Sequence, residues 1–226
     1  MTSVLQAPKK QFALALGYAT LVSIGLYSYG ALRNHSLEYS YLPWNLFLAW
    51  LPLVLAVWLA RILDTQLWSS WKALGVSVAW LLFLPNSFYM ISDYIHLQDV
   101  AHADILYDAV LFTSFIYTGV LLGFSSLYVI HLELKKRFPA RLAGGTVALT
   151  LLLCSFAIYI GRDLRWNSWD ILINPGGLLF DVSDRLLHPA AYPAMFVTVG
   201  VFFVFLMTMY GLIWRGSQLL HSFGRS

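Results

Sequence analysis

Ala73-Leu-Gly-Val-Ser-Val-Ala-Trp80-Leu-Leu-Phe-Leu-Pro85-Asn86-Ser-Phe-Tyr89-Met-Ile-Ser92-Asp93-Tyr-Ile-His96-Leu97 is the stretch from which the fold is read. A helix crossing hydrocarbon needs roughly 20 apolar residues, and this run supplies them. Near its end Asn86, Tyr89, Asp93 and His96 recur at intervals of three, four and three, so they share one stripe of a helix. Polar and ionisable groups at membrane depth are costly and mark candidate sites. The stretch predicts a membrane span whose last turns carry a site where the span meets water.

The rest of the chain has the same character. Of 226 residues, 59% are hydrophobic and 11% charged, with a mean hydropathy of +0.69. A soluble domain carries about 25% charged residues. The deficit concentrates in six runs, at about 12–32, 44–63, 73–97, 107–131, 144–163 and 192–214, each long enough to span. Aromatic residues such as Trp44, Trp68, Tyr107, Trp166 and Trp214 sit at their ends, as rings at headgroup level do. The expected fold is all-α and polytopic: six transmembrane helices in one domain over 1–226. The apolar run after Lys10 is long enough to be a retained span rather than a removed signal peptide. One cysteine, Cys154, excludes a disulfide framework.

Charge sets the expected orientation. With the N-terminus, the second and fourth connections and the C-terminus on one side, that side holds ten of the 14 Lys and Arg residues and only Asp64 and Glu133 as acids. The other side holds Arg33, Arg162, Arg165 and Arg185 against nine acids. The positive-inside rule therefore places both termini in the cytoplasm. The net charge of +3 is a basic fringe and not a nucleic-acid surface. Its densest part, from His131 to Arg141, suits contact with anionic lipid headgroups, so membrane lipids are the expected partners.

The chemistry gathers on the opposite, outer side. Pro85 removes a backbone donor, and Asn86 or Ser87 can help satisfy the carbonyl freed near residue 81. Asp108 opens the fourth span, where it favours the helix dipole or faces His96 across a short loop. Gly161-Arg162-Asp-Leu-Arg165-Trp166-Asn167-Ser168-Trp169-Asp170 closes the fifth, with Arg162, Arg165 and Trp169 on one helical face. Arginines here run against the charge bias, which leaves two roles: ion pairs with Asp93 and Asp108, or capture of a phosphate or carboxylate by the guanidinium fork. After the turn Asn174-Pro175-Gly176-Gly177, the residues Asp181, Asp184, Arg185 and His188 share one face of a short amphipathic helix on the outer leaflet. That helix either covers the site or shields the ends of the spans.

Candidate catalytic residues are thus Asp93, His96 and Asp108. Asn86, Tyr89, Arg162, Arg165, Asn167 and Asp170 are the candidate ligand-binding residues. A divalent metal is a cofactor these residues admit, with Asp93, His96 and Asp108 as ligands and His102, Asp104 and His188 in nearby loops. No HExxH, phosphate loop or dinucleotide glycine pattern occurs. Ser92 and Ser168 stand in no nucleophile elbow.

The run Leu82-Phe-Leu-Pro85-Asn86 through Leu97, together with Gly161 through Asp170, resembles the bacterial membrane proteins grouped as domain of unknown function 1361. The resemblance implies residence in the bacterial cytoplasmic membrane and assigns no activity. Ser92-x-x-x-His96 followed by Asp108 is also similar to part of the pattern of the alkaline ceramidase and adiponectin-receptor superfamily. The histidine pair of that superfamily's last span has no counterpart here, so its activity is not carried over.

Two functional classes lead, with small-solute transport ranked below them. In one, the outward site binds or processes a lipid or anionic ligand, as a membrane-embedded hydrolase or transferase at the outer leaflet would. In the other, the same Asp, His and Arg residues form an interhelical ion-pair network in a structural or assembly protein. Transport of a small solute needs an ionisable group deep in the bilayer, and no Asp, Glu, Lys or Arg lies mid-span.

Overall fold

Without water in a bilayer core, each backbone N–H and C=O must be paired within its own segment, so the apolar runs fold as helices. The computed structural model describes residues 6–99, 105–166 and 173–223. The spans are α1 (Gln6–Asn34), α2 (Tyr41–Leu63), α3 (Trp71–Tyr89), α4 (Ile105–Arg137), α5 (Ala140–Asp163) and α7 (Pro193–Phe223), with the shorter α6 (Pro175–Leu187) between the last two. Six helices are long and apolar enough to cross a membrane, and the described residues contain no strand. The chain is an all-α polytopic membrane protein, as its hydropathy predicts.

α4 is the centre of the bundle. α1, α2, α3 and α5 all pack on it, and α7 packs on the flank of α5. One apolar core joins α2, α3, α4, α5 and α7 around Trp80, Phe88, Phe124 and Leu151. A second joins α1, α2 and α4 around Leu46, Phe112 and Phe115. Polar side chains stitch the helices between these cores: Trp80 donates to Ser126 Oγ at 2.6 Å, and Trp50 to Thr20 Oγ1 at 3.1 Å. α7 is held to α4 by His131, whose ring meets the Tyr210 hydroxyl at 2.8 Å and stacks on Trp214 at 4.0 Å.

The tightest helix–helix approach runs through two glycines of α4. A Cβ on Gly123 would sit 2.7 Å from Ser87 Cβ and 2.9 Å from the Phe88 ring; one on Gly119 would strike Met90 Sδ. This small-xxx-small spacing lets α3 lie flush on α4, where association in lipid depends on close packing.

Several boundaries differ from the sequence reading: α1 begins at Gln6, α7 runs on to Phe223, and two others bear on packing. α4 continues through Lys135, Lys136 and Arg137, so most of the basic segment after His131 is helix and not loop. The cause is local: Glu133 pairs with Lys136 and with Arg137 one turn on, and cations favour a helix C-terminus. Arg137 also donates to the terminal carbonyl of Leu63 on α2, at 2.6 Å. At the other end of the molecule, α3 gives way at Met90 to a 3₁₀ segment, Met90–Asp99.

Gly123→Val is expected to overpack the α3–α4 seam and lower stability by about 1–3 kcal/mol. Gly144→Ala, where an added Cβ meets nothing within 4 Å, is the matched control. Thermal unfolding of both in detergent checks this; equal melting temperatures would show that the seam does not limit stability.

Candidate functional site

The polar stripe of α3 survives folding although the helix type changes beneath it. Residues three apart eclipse in a 3₁₀ helix, so Asp93 and His96 stay in line with Asn86 and Tyr89, which belong to the α-helical portion. All four line one cavity of about 490 Å³, bounded by α2, α3 and α5. That volume falls within the range of small-ligand pockets. The 3₁₀ segment is pinned to α4 by the Tyr94 and Thr113 hydroxyls, 2.9 Å apart.

Asp93 is the buried charge of this cavity, with 2% of its surface exposed. Asn45 of α2 donates to its Oδ2 at 3.3 Å. Tyr41, a turn earlier on α2, lies tilted against His96 with ring centroids 5.3 Å apart and carries a buried hydroxyl with no hydrogen-bond partner. Sequence reasoning missed both residues. Each is a lone polar group near the start of an apolar helix, and its partner is on a different helix. The available signal was an amide inside span 2, which hydrocarbon alone would not retain.

Arg162 lines the wall opposite, from the last turn of α5, close enough to act electrostatically on both Asp93 and Tyr41. The expected continuation of that helical face to Arg165 does not form. α5 ends at Asp163, and Arg165 takes φ 58°, the left-handed region that glycine usually occupies. That reversal turns Arg165 outward to an exposed position and folds Trp166 back into the cavity lining. Asn167, Ser168, Trp169 and Asp170 lie outside the described residues, as do His102 and Asp104.

Asp108 lines a second, smaller cavity of about 90 Å³ with Tyr39, Glu38 and Tyr107, and Tyr39 donates to its carboxylate at 3.4 Å. It is therefore not part of the wall that Asp93 and His96 share. Ser92 Oγ donates to Tyr89 O at 2.7 Å and lines neither cavity. The helix patches near Pro85 are specific: Asn86 Nδ2 donates to Phe83 O at 3.0 Å, and Ser87 Oγ crosses to Ala49 O of α2. Asn86 thus serves the backbone and lines the cavity at once. Among the described residues, Glu133 pairs with Lys136 and Arg137, Asp181 with Arg185 and Asp184 with His188, each within a turn of helix, and Asp93 and Arg162 are in none of these pairs.

The short amphipathic helix forms as α6, with Asn174 capping it by accepting from Gly177 N–H. Its polar face straps it down. Asp181 accepts from the Trp166 indole at 2.8 Å, Asp184 accepts from the Tyr192 hydroxyl and from His188, and the Arg185 guanidinium lies 4.8 Å over the Tyr192 ring. Leu178 reaches the cavity, while Leu179, Phe180, Leu186 and Leu187 are exposed. α6 therefore roofs part of the site and presents an apolar outer face.

Among the described residues no group of three or more His, Cys, Asp or Glu side chains converges. Catalytic zinc takes three protein ligands, and Asp93 with His96 supplies two, so no step is routed through a metal here. What the arrangement can do is hold an anion on a guanidinium while an imidazole and a carboxylate stand beside it for proton exchange.

A family model described as "Protein of unknown function (DUF1361)" matches residues 44–209, and the chain belongs to that family. No curated protein and no solved structure matches it.

Two outcomes follow from the geometry. Asn45→Leu leaves a buried carboxylate without its amide donor and should cost about 1–3 kcal/mol in unfolding experiments. Asp184 is held below the usual carboxylate range, chiefly by the Tyr192 hydroxyl and then by His188. Its contribution to α6 docking is full above a carboxylate's ordinary pKa of about 4 and is lost as pH falls through the depressed value. Tyr192→Phe should raise the Asp184 midpoint in a carboxylate NMR titration, and an unmoved midpoint would break the assignment.

Proposed function

We propose that this membrane protein binds an anionic ligand in the cavity between α2, α3 and α5, with Arg162 as its anchor. Arg162 carries the reading: it is a guanidinium on a cavity wall, outside the close ion pairs, facing a carboxylate already engaged by Asn45. The fork suits a phosphate or carboxylate, because two parallel hydrogen bonds add direction to charge. Asn86 and Tyr89 supply neutral polar contacts from α3, in the same cavity.

The acid-rich end of the chain holds this cavity, and the basic fringe lies at the other. The positive-inside rule then directs the site away from the cytoplasm, in the cytoplasmic membrane of a bacterium. Where the bound ligand is also processed, His96 and Asp93 are the pair that would exchange protons with it, as in a hydrolase or transferase acting at the outer leaflet.

Glycerol phosphate, an anion without a hydrocarbon chain, is the direct probe. Calorimetry on the full chain in zwitterionic nanodiscs should detect binding that weakens about tenfold or more in Arg162→Gln, given roughly 1.5–3 kcal/mol for a charge-assisted hydrogen bond. Equal affinity in wild type and variant would sink the proposal.

A further inference from the structure

The cavity is more than a polar cup. α2 and α5 both pack on α3 and α4 and make little contact with each other, so α3 forms the back of a cleft with α2 and α5 as its sides. The ionisable groups Asp93, His96 and Arg162 gather at one end of that cleft, and Asn86 is its deepest polar side chain, about 10 Å from Asp93 along α3. Cys154 lies about 12 Å below Arg162 along α5, at 1.5 Å per residue. Toward that level the lining turns apolar, through Leu48, Leu81, Leu82, Leu153 and Ala157. The flank is also open. Leu82 on α3 and Leu153 on α5 line the cavity and are 39% and 43% exposed, on spans whose exposed surface faces lipid. Trp44 stands 53% exposed at the polar end. The roof is different, because Leu178 and the strapped Trp166 lie across it.

We infer that the occupant of this cleft is an anionic glycerophospholipid that enters sideways from the bilayer between α2 and α5, its phosphate on Arg162 and one acyl chain down the apolar floor. The inference rests on the proposed anion site and adds the chain and the route. A headgroup alone would leave the apolar floor unfilled, and an uncharged lipid would leave the guanidinium unmatched. Both ends of the cleft are satisfied by one molecule only if charge and chain are joined. A lateral route also lets the acyl chain reach its place without crossing water.

The test uses the full chain in phosphatidylcholine nanodiscs doped with phosphatidylglycerol brominated on its acyl chains, with brominated phosphatidylcholine at equal mole fraction as the comparison. Quenching of Trp44 and Trp166 should be greater with the anionic lipid. Arg162→Gln should remove that excess. Ala157→Phe, which fills the floor, should remove it too while leaving glycerol phosphate binding as in wild type. Leu153→Phe, at the lipid-facing edge, serves as the second floor variant should Ala157→Phe not fold. If the floor variants keep the full anionic excess, the chain does not occupy the cleft, and the inference fails while the anion site stands. If Arg162→Gln alters neither lipid quenching nor glycerol phosphate binding, the anion site itself is lost and the lipid reading falls with it.

Discussion

The seating of α3 on α4 through Gly119 and Gly123 is the constraint from which the other arrangements follow. In lipid no apolar gain separates a helix–helix contact from a helix–lipid one, so a seam holds only where backbones come close. With Ser87 and Phe88 against Gly123, one face of α3 is spent on α4. α2 and α5 then take the two flanks of α3. A helix enclosed on three sides has one face left. That remaining face carries Asn86, Tyr89, Asp93 and His96, and it becomes the back of the cleft.

Burying Asp93 in such a position would be costly without a partner. Removing a carboxylate from water costs several kcal/mol even after relaxation, and a good donor offsets only part of it. Asn45 supplies a neutral donor, which leaves the carboxylate's charge in place instead of cancelling it. An arginine in that role would have consumed the cation. Because α2 contributes an amide, Arg162 can remain on the opposite wall with its fork directed to the cavity. The division of labour between Asn45 and Arg162 favours the proposed binding site over an interhelical ion-pair lock.

The spans were legible in the sequence because hydropathy needs no knowledge of neighbours. The stripe from Asn86 to His96 was legible because period alone places those side chains on one face, and both helix types present there keep them so. Asn45 and Tyr41 were not legible, since their meaning lies in which helix sits opposite. Asp108 looked like a partner for His96 by proximity along the chain, yet it opens α4 on the side of α1 and Tyr39. Arg165 was misread for a local reason. Helical spacing was carried past Asp163, where a left-handed residue turns the chain and exchanges an arginine for Trp166 in the cavity wall.

That exchange links the site to α6. Trp166 enters the lining only because the chain reverses at Arg165, and its indole is then in place to donate to Asp181. Asp184 and Arg185 both engage Tyr192, just before α7, so α6 is held by its polar face and exposes its apolar one. A helix anchored in this sense closes the cavity from above while leaving the flank between α2 and α5 uncovered. Release of α6 would require breaking several hydrogen bonds together, whereas passage through the flank requires only that Leu82 and Leu153 yield to another apolar chain. The lower-cost entry is from the bilayer.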